Sequence, residues 1–278
     1  MSWNIFLIVL LAALLHAGWN ALVRRGTDKL KMMMLVMGLA ALGAAMALPF
    51  LPAPAPTSWP FMAASAILQL VYFGLLARIY RTVELNVAYP LMRGLAPALV
   101  AIAGLFLLTE RLSFAGWAGL FAICGGLLAL SATARAVVHR RDLRLALLNA
   151  LVIAGYTLVD GLGVRRSGAP FSYVLWIYFL SGLSLTLSVL ASRRDLLFGI
   201  GARDLSRGSV GALGTVAAYS LAAWAMTRAP IAAVAALRET SIVFAALLSV
   251  LFLGERVDRR RWAAISTIAI GAVLLRLG

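Results

Sequence analysis

Residues 93–126 and 238–271 repeat one another at a spacing of 145 positions without a gap. Arg93, Leu108, Glu110-Arg111, Trp117-Ala118, Ile123 and Gly126 return as Arg238, Leu253, Glu255-Arg256, Trp262-Ala263, Ile268 and Gly271. Matches at Ala, Leu or Ile arise by chance in an apolar chain, but Arg, Glu-Arg and Trp are scarce here, so their alignment is the mark of an internal duplication. If each copy holds an odd number of membrane spans, the second enters the bilayer upside down relative to the first. Inverted repeats of that kind are characteristic of transporters.

The chain is 63% hydrophobic and only 13% charged, with a mean hydropathy of +0.97, a surface that water could not solvate around a folded domain. A formal charge of +15 would suggest nucleic acid in a soluble protein. Here 23 of the 25 Lys and Arg fall in short breaks between apolar runs, which makes them topology signals rather than a nucleic-acid footprint. The single cysteine, Cys124, excludes an internal disulfide and any cysteine-based metal cluster, and its Gly-rich apolar setting reads as packing.

Ten apolar segments of helical length follow one another: 4–23, 32–51, 58–80, 84–108, 114–134, 145–164, 170–191, 208–227, 230–253 and 260–277. Each is near the ~20 residues needed to cross the hydrocarbon core. They divide five and five about the basic stretch Arg135 to Arg144, giving repeats over 1–134 and 145–278 joined by residues 135–144. Five is odd, so the inversion follows. The expected fold is an all-α membrane protein of ten transmembrane helices, arranged as two inverted five-helix repeats around a central cavity.

Numbering the nine connections from the N-terminus, the odd ones carry 18 Lys and Arg, whereas the even ones together with the C-terminal end carry 5. The positive-inside rule therefore puts the odd connections in the cytoplasm and both termini outside it. The absence of a positive stretch before the first span, with Arg24-Arg25 just after it, argues the same way and against a cleaved signal peptide.

Leu108-Thr109-Glu110-Arg111 and Leu253-Gly254-Glu255-Arg256 close the fourth span of each half, and the first span reads His16-Ala17-Gly18-Trp19-Asn20. With the duplicated ten-span layout, these features resemble the EamA family of the drug/metabolite transporter superfamily over nearly the whole chain. The resemblance implies a secondary transporter of small metabolites, often an exporter, with a cavity walled by helices of both halves. Several relatives are thought to keep both termini in the cytoplasm, the reverse of what the loop charges here indicate.

The candidate functional residues are those too polar for lipid. Arg93 lies about nine residues, or ~14 Å of rise, inside the fourth span, and Arg238 holds the equivalent place in the ninth. A guanidinium at that depth costs at least ~2.5–3.5 kcal/mol on insertion scales, so each must face a cavity or an acidic partner. Glu239 and Asp160 are the candidate partners; Glu239, about 100° round the helix from Arg238, is poorly placed for that neighbour. Asp160 shares a face with Tyr156 and Asn149, and Arg93 shares one with Tyr89 and Pro97. The two arginines either tie helices together or bind a substrate carboxylate, phosphate or phosphonate, for which the guanidinium fork is suited.

His16, Trp19 and Asn20 fall on one face of the first span, either as an interhelical hydrogen-bond cluster or as substrate or proton ligands. Gln69, Tyr72 and Tyr80 in the third span and Ser220, Trp224 and Thr227 in the eighth make weaker stripes. Glu110-Arg111 and Glu255-Arg256, at span ends, read as ion pairs that set loop geometry. Met32, Met33, Met34 and Met37 read as packing or lipid contact.

No nucleotide loop, nucleophile elbow, zinc spacing or dinucleotide fingerprint is present, so neither an enzyme nor a cofactor is expected, and ATP hydrolysis within this chain is excluded. The expectation is a transporter of anionic or zwitterionic metabolites, such as amino acids or organic acids, working by alternating access. It would sit in a bacterial inner membrane as a monomer or homodimer, with a proton or counter-substrate as a further partner. Two other classes compete: a flippase for lipids or lipid-linked headgroups, and a non-transporting scaffold or sensor.

Overall fold

The computed structural model describes residues 1–24, 29–79, 85–132, 140–192, 198–253 and 258–278. Among these residues the regular structure is helical throughout. The helices are α1 (Trp3–Arg24), α2 (Lys29–Ala47), α3 (Trp59–Ile79), α4 (Leu85–Leu107), α5 (Phe114–Ala132), α6 (Arg140–Ser167), α7 (Pro170–Ser192), α8 (Ala202–Met226), α9 (Ile231–Arg238), α10 (Ser241–Leu253) and α11 (Arg259–Leu277). Apolar runs of this length form helices because a helix satisfies its backbone groups internally, with no water in the bilayer to do so. Nine stretches of the described residues are long and apolar enough to cross a membrane, with Ile231–Leu251 counted as one. α11, which opens on Arg259-Arg260-Arg261, completes the bundle against α5.

The structure departs from the sequence reading in two places. The basic stretch expected to lie between the halves is helical from Arg140 onward, so α6 starts earlier than the apolar pattern indicates. The ninth span is stepped: α9 ends at Arg238, Glu239 and Thr240 form a turn, and α10 resumes at Ser241. At the step the bonds tighten to the three-residue kind, with Glu239 N–H on Ala236 C=O and Thr240 N–H on Leu237 C=O, each at 3.0 Å. The fourth span, its repeat equivalent, stays helical through Pro90 and Pro97.

Packing reproduces the duplication. α1 lies on α8 as α3 lies on α6, α2 pairs with α7, and α5 pairs with α11. If α6, α7, α8, α9–α10 and α11 are taken as copies of α1 to α5, the main contacts between the halves fall into mirror-image pairs, as a pseudo-twofold relation demands. At the α5–α11 seam the backbones nearly touch: a Cβ on Gly119 would meet Gly271 O at 2.6 Å, and one on Gly271 would meet Gly119 O at 2.7 Å. Outward faces carry Leu107, Phe114, Leu213 and Leu251, a surface suited to lipid. α9 lies deepest, with Ile231 through Leu237 all buried.

Candidate functional site

Where the first four helices of each half converge, a cavity of about 150 Å³ opens. His16, Trp19 and Asn20 of α1, Met33, Val36 and Met37 of α2, Gln69, Tyr72 and Phe73 of α3 and Arg93 of α4 form one wall. The other half contributes Tyr156 of α6, Tyr178 of α7, Thr215 and Tyr219 of α8 and Arg238 of α9. The cavity is therefore built by both repeats, and its two arginines are repeat equivalents.

Those arginines have different partners. Arg93 grips Glu239 with two atoms: Nε donates to Oε2 at 2.9 Å, and a terminal nitrogen lies 2.8 Å from Oε1. Both side chains are buried, and the fork geometry makes this the strong form of ion pair. Arg238 lies with its guanidinium 4.9 Å above the Tyr219 ring, and no described carboxylate forms an ion pair with it. A cation against an aromatic face gains attraction from the ring quadrupole without losing its charge.

Other polar side chains surround the same space. Among the described residues the buried indole N–H of Trp19 has no hydrogen-bond partner, and the His16 ring packs edge-on against Trp19 at 5.4 Å. Tyr72 and Tyr156 meet edge-to-face at 6.0 Å, and the Tyr178 hydroxyl donates to Thr215 C=O at 3.0 Å. Asn20 donates its amide to His16 C=O at 2.7 Å, within its own helix.

Of the residues singled out from sequence, Arg93, Arg238, His16, Trp19, Asn20, Tyr156, Gln69 and Tyr72 come together around the cavity. Glu239 stands behind the wall as the partner of Arg93. Asp160 also lies behind it, 1% exposed, accepting from the hydroxyls of Tyr219 and Tyr173. Asn149, expected on the Tyr156 face, is buried and donates to the Met92 sulfur at 3.0 Å. Trp224 is outside the lining; it packs under Arg228 at 5.0 Å, where α8 ends. The Tyr89 side chain, Tyr80 and Glu255-Arg256 lie outside the described residues.

Sequence reasoning missed Tyr178, Thr215 and Tyr219. α8 presents Thr215 and Tyr219 to the cavity rather than the stripe through Ser220 and Trp224, about 100° away. Met33 and Met37, read as packing, also reach the cavity.

A membrane bundle of two repeats around a central cavity with an arginine from each half in its wall has the layout of many transporters. The EamA-like transporter family matches residues 3–132 and 143–277, and the chain belongs to that family. An uncharacterized transporter of Bacillus subtilis (strain 168), YwfM, is 24% identical over 220 residues, covering 78% of this chain and 73% of that protein. A solved crystal structure superimposes with a TM-score of 0.77 over 99% of this chain and 98% of its own, at 19% identity, a likeness of fold.

Proposed function

We propose that the protein is a secondary transporter for small anionic or zwitterionic metabolites of the amino-acid or organic-acid type, with Arg238 as the anchor for the substrate's anionic group. The observation that carries this reading is the contrast at the cavity wall: Arg93 is held in a two-atom ion pair by Glu239, whereas Arg238 faces the cavity with no direct ion pair among the described residues. The unpartnered Trp19 N–H adds a second donor. Arg and indole groups can only donate, so an oxyanion complements them and a cation does not. The two halves rock about this midplane site, export is the working direction, and the membrane is the bacterial inner membrane with the odd connections in the cytoplasm.

In this reading Arg93 shapes the site through Glu239 and does not hold substrate alone. Two roles are thus divided between residues that the duplication made alike.

The test is ligand-induced thermal stabilisation of the detergent-purified protein, screened over amino acids, organic acids, phosphonates and organic cations, with Arg238→Ala beside it. A ligand at 100 times its Kd adds about 2.7 kcal/mol to the folded state. Stabilisation by one anionic class, lost in the variant, is the expected result. Stabilisation by cations, or an anion response that survives in Arg238→Ala, overturns the proposal.

A further inference from the structure

Away from the cavity, on the face of the even-numbered connections, one carboxylate gathers three chain segments. Glu110 follows the end of α4. Its Oε1 is 2.6 Å from a terminal nitrogen of Arg165, near the end of α6, and its Oε2 accepts the N–H of Ile231, the first residue of α9, at 2.9 Å. Arg165 in turn donates from Nε to Met226 C=O at 2.7 Å and from its terminal nitrogen to Ala229 C=O at 2.9 Å. The end of α8, the start of α9, the end of α6 and the end of α4 are thereby joined at one point. Glu110 belongs to the first repeat and every other member to the second.

The placement of Glu110 carries strain. Thr109 sits at φ 53°, the left-handed region that favours glycine, and the second repeat has Gly254 at the corresponding position. The turn sends the Glu110 N–H back to Gly104 C=O at 3.2 Å and aims its side chain across the boundary between the halves. A residue held in such a conformation persists because its surroundings enforce it, and such residues concentrate at switching elements.

α9 is eight residues long and runs from the Glu110 contact at Ile231 to Arg238 at the cavity. Whatever fixes its first residue also sets the position of its last.

We infer that Glu110 and Arg165 are positioning residues for the transport cycle: their pair closes the even-connection face and seats α9, and it must break when the two halves separate on that face. The inference rests on the transporter reading above. Glu110 acts through α9 on Arg238 and touches no substrate.

The experiment reads conformation without substrate, so it answers even if the proposed substrate class is wrong. Gln69, on the cavity wall, is replaced by Cys in a Cys124→Ala background. Its modification by a membrane-impermeant maleimide is timed in vesicles of each sidedness. Glu110→Gln and Arg165→Gln are expected to raise labelling from the even-connection face by about tenfold, the scale of a lost charge-assisted bond, and to lower it from the opposite face. Arg228→Gln, an exposed arginine on the same face without an ion pair among the described residues, serves as the control and leaves both rates unchanged. In Glu110→Cys/Arg165→Cys, bridging the two thiols with a short cleavable reagent is expected to abolish labelling from the even-connection face, and cleavage to restore it. Labelling that rises equally from both faces, as general loosening would produce, or that persists with the thiols bridged, overturns the inference.

Discussion

Arg93 and Arg238 descend from one position in the duplicated unit, yet one is a buried ion-pair partner and the other a cation at a cavity with no direct ion pair among the described residues. The neighbouring residue explains the difference. Glu239 follows Arg238, and its repeat equivalent after Arg93 is Gly94. Across the pseudo-twofold axis, Glu239 reaches the opposite half's arginine, 146 positions away in sequence. Gly94 has no side chain with which to return that contact to Arg238. Nor is there free room for one, since a Cβ at Gly94 would lie 3.1 Å from Leu127 Cβ and 3.3 Å from two Leu128 atoms. A single Gly/Glu difference thus turns a symmetric scaffold into an asymmetric electrostatic one. Duplication supplies the geometry, and divergence at one position supplies the chemistry.

The harshest way to break this contrast is Glu239→Ala. It leaves the Arg93 guanidinium buried without its carboxylate, and removing one partner of a buried pair costs about 3–5 kcal/mol. The thermal midpoint in detergent should fall accordingly. The double variant Arg93→Met/Glu239→Leu should recover most of the loss, because an apolar pair of similar volume replaces the charges together. If the single variant unfolds no more easily than the parent, the pair is not what holds Arg93.

Arg238→Ala should act the other way round, sparing the fold and removing binding. Loss of a charged hydrogen-bond donor costs about 1.5–3 kcal/mol, roughly ten- to a hundredfold in the Kd for an anionic ligand. The thermal midpoint of the ligand-free protein should stay close to the parent's, since the guanidinium gives up a ring contact and no described ion pair. A large stability loss with unchanged affinity would place Arg238 in the same structural class as Arg93 and erase the distinction.

The sequence exposed the spans, the duplication and the equivalence of the two arginines that line the cavity, because these depend on apolar run length and on scarce residues recurring at one spacing. It also named Glu239 as a candidate partner for these arginines and placed it poorly for Arg238, and the structure pairs it with Arg93. Which face of α8 meets the cavity was not legible. Tyr219 and Ser220 are neighbours on a helix with small residues on several sides, and only its packing, chiefly against α1 and α2, selects Tyr219. Glu110 posed a related difficulty. The adjacent Arg111 suggested a local pair, whereas the partner is Arg165, brought near by the fold of the other half. Contacts across the repeat boundary leave little trace in local pattern.

A smaller effect sharpens the contrast within the cavity. Trp19→Phe keeps the ring that packs against His16 but deletes the unpartnered N–H. A neutral donor contributes about 0.5–1.5 kcal/mol, so anion affinity should weaken by roughly two- to tenfold with stability unchanged. Titration of the anion identified by the thermal screen measures it; equal affinity in both proteins would leave Arg238 as the site's principal donor.

The smallest expected change gives the first repeat the second repeat's residue at a place where the two differ. Thr109→Gly relieves a left-handed backbone conformation worth about 1–2 kcal/mol in a residue with a Cβ. Against this stand the loss of the Thr109 hydroxyl bond to Leu108 C=O at 2.7 Å and the greater freedom of glycine in the unfolded chain. The hydroxyl is exposed, so the bond returns largely to water and contributes little. The net should be a gain of a few tenths of a kcal/mol, seen as a small rise in thermal midpoint while the Glu110–Arg165 pair stays formed. A fall would mean that the threonine side chain, rather than the turn itself, holds Glu110 in place, and that the two repeats differ there by design of the contact and not merely by drift of the sequence.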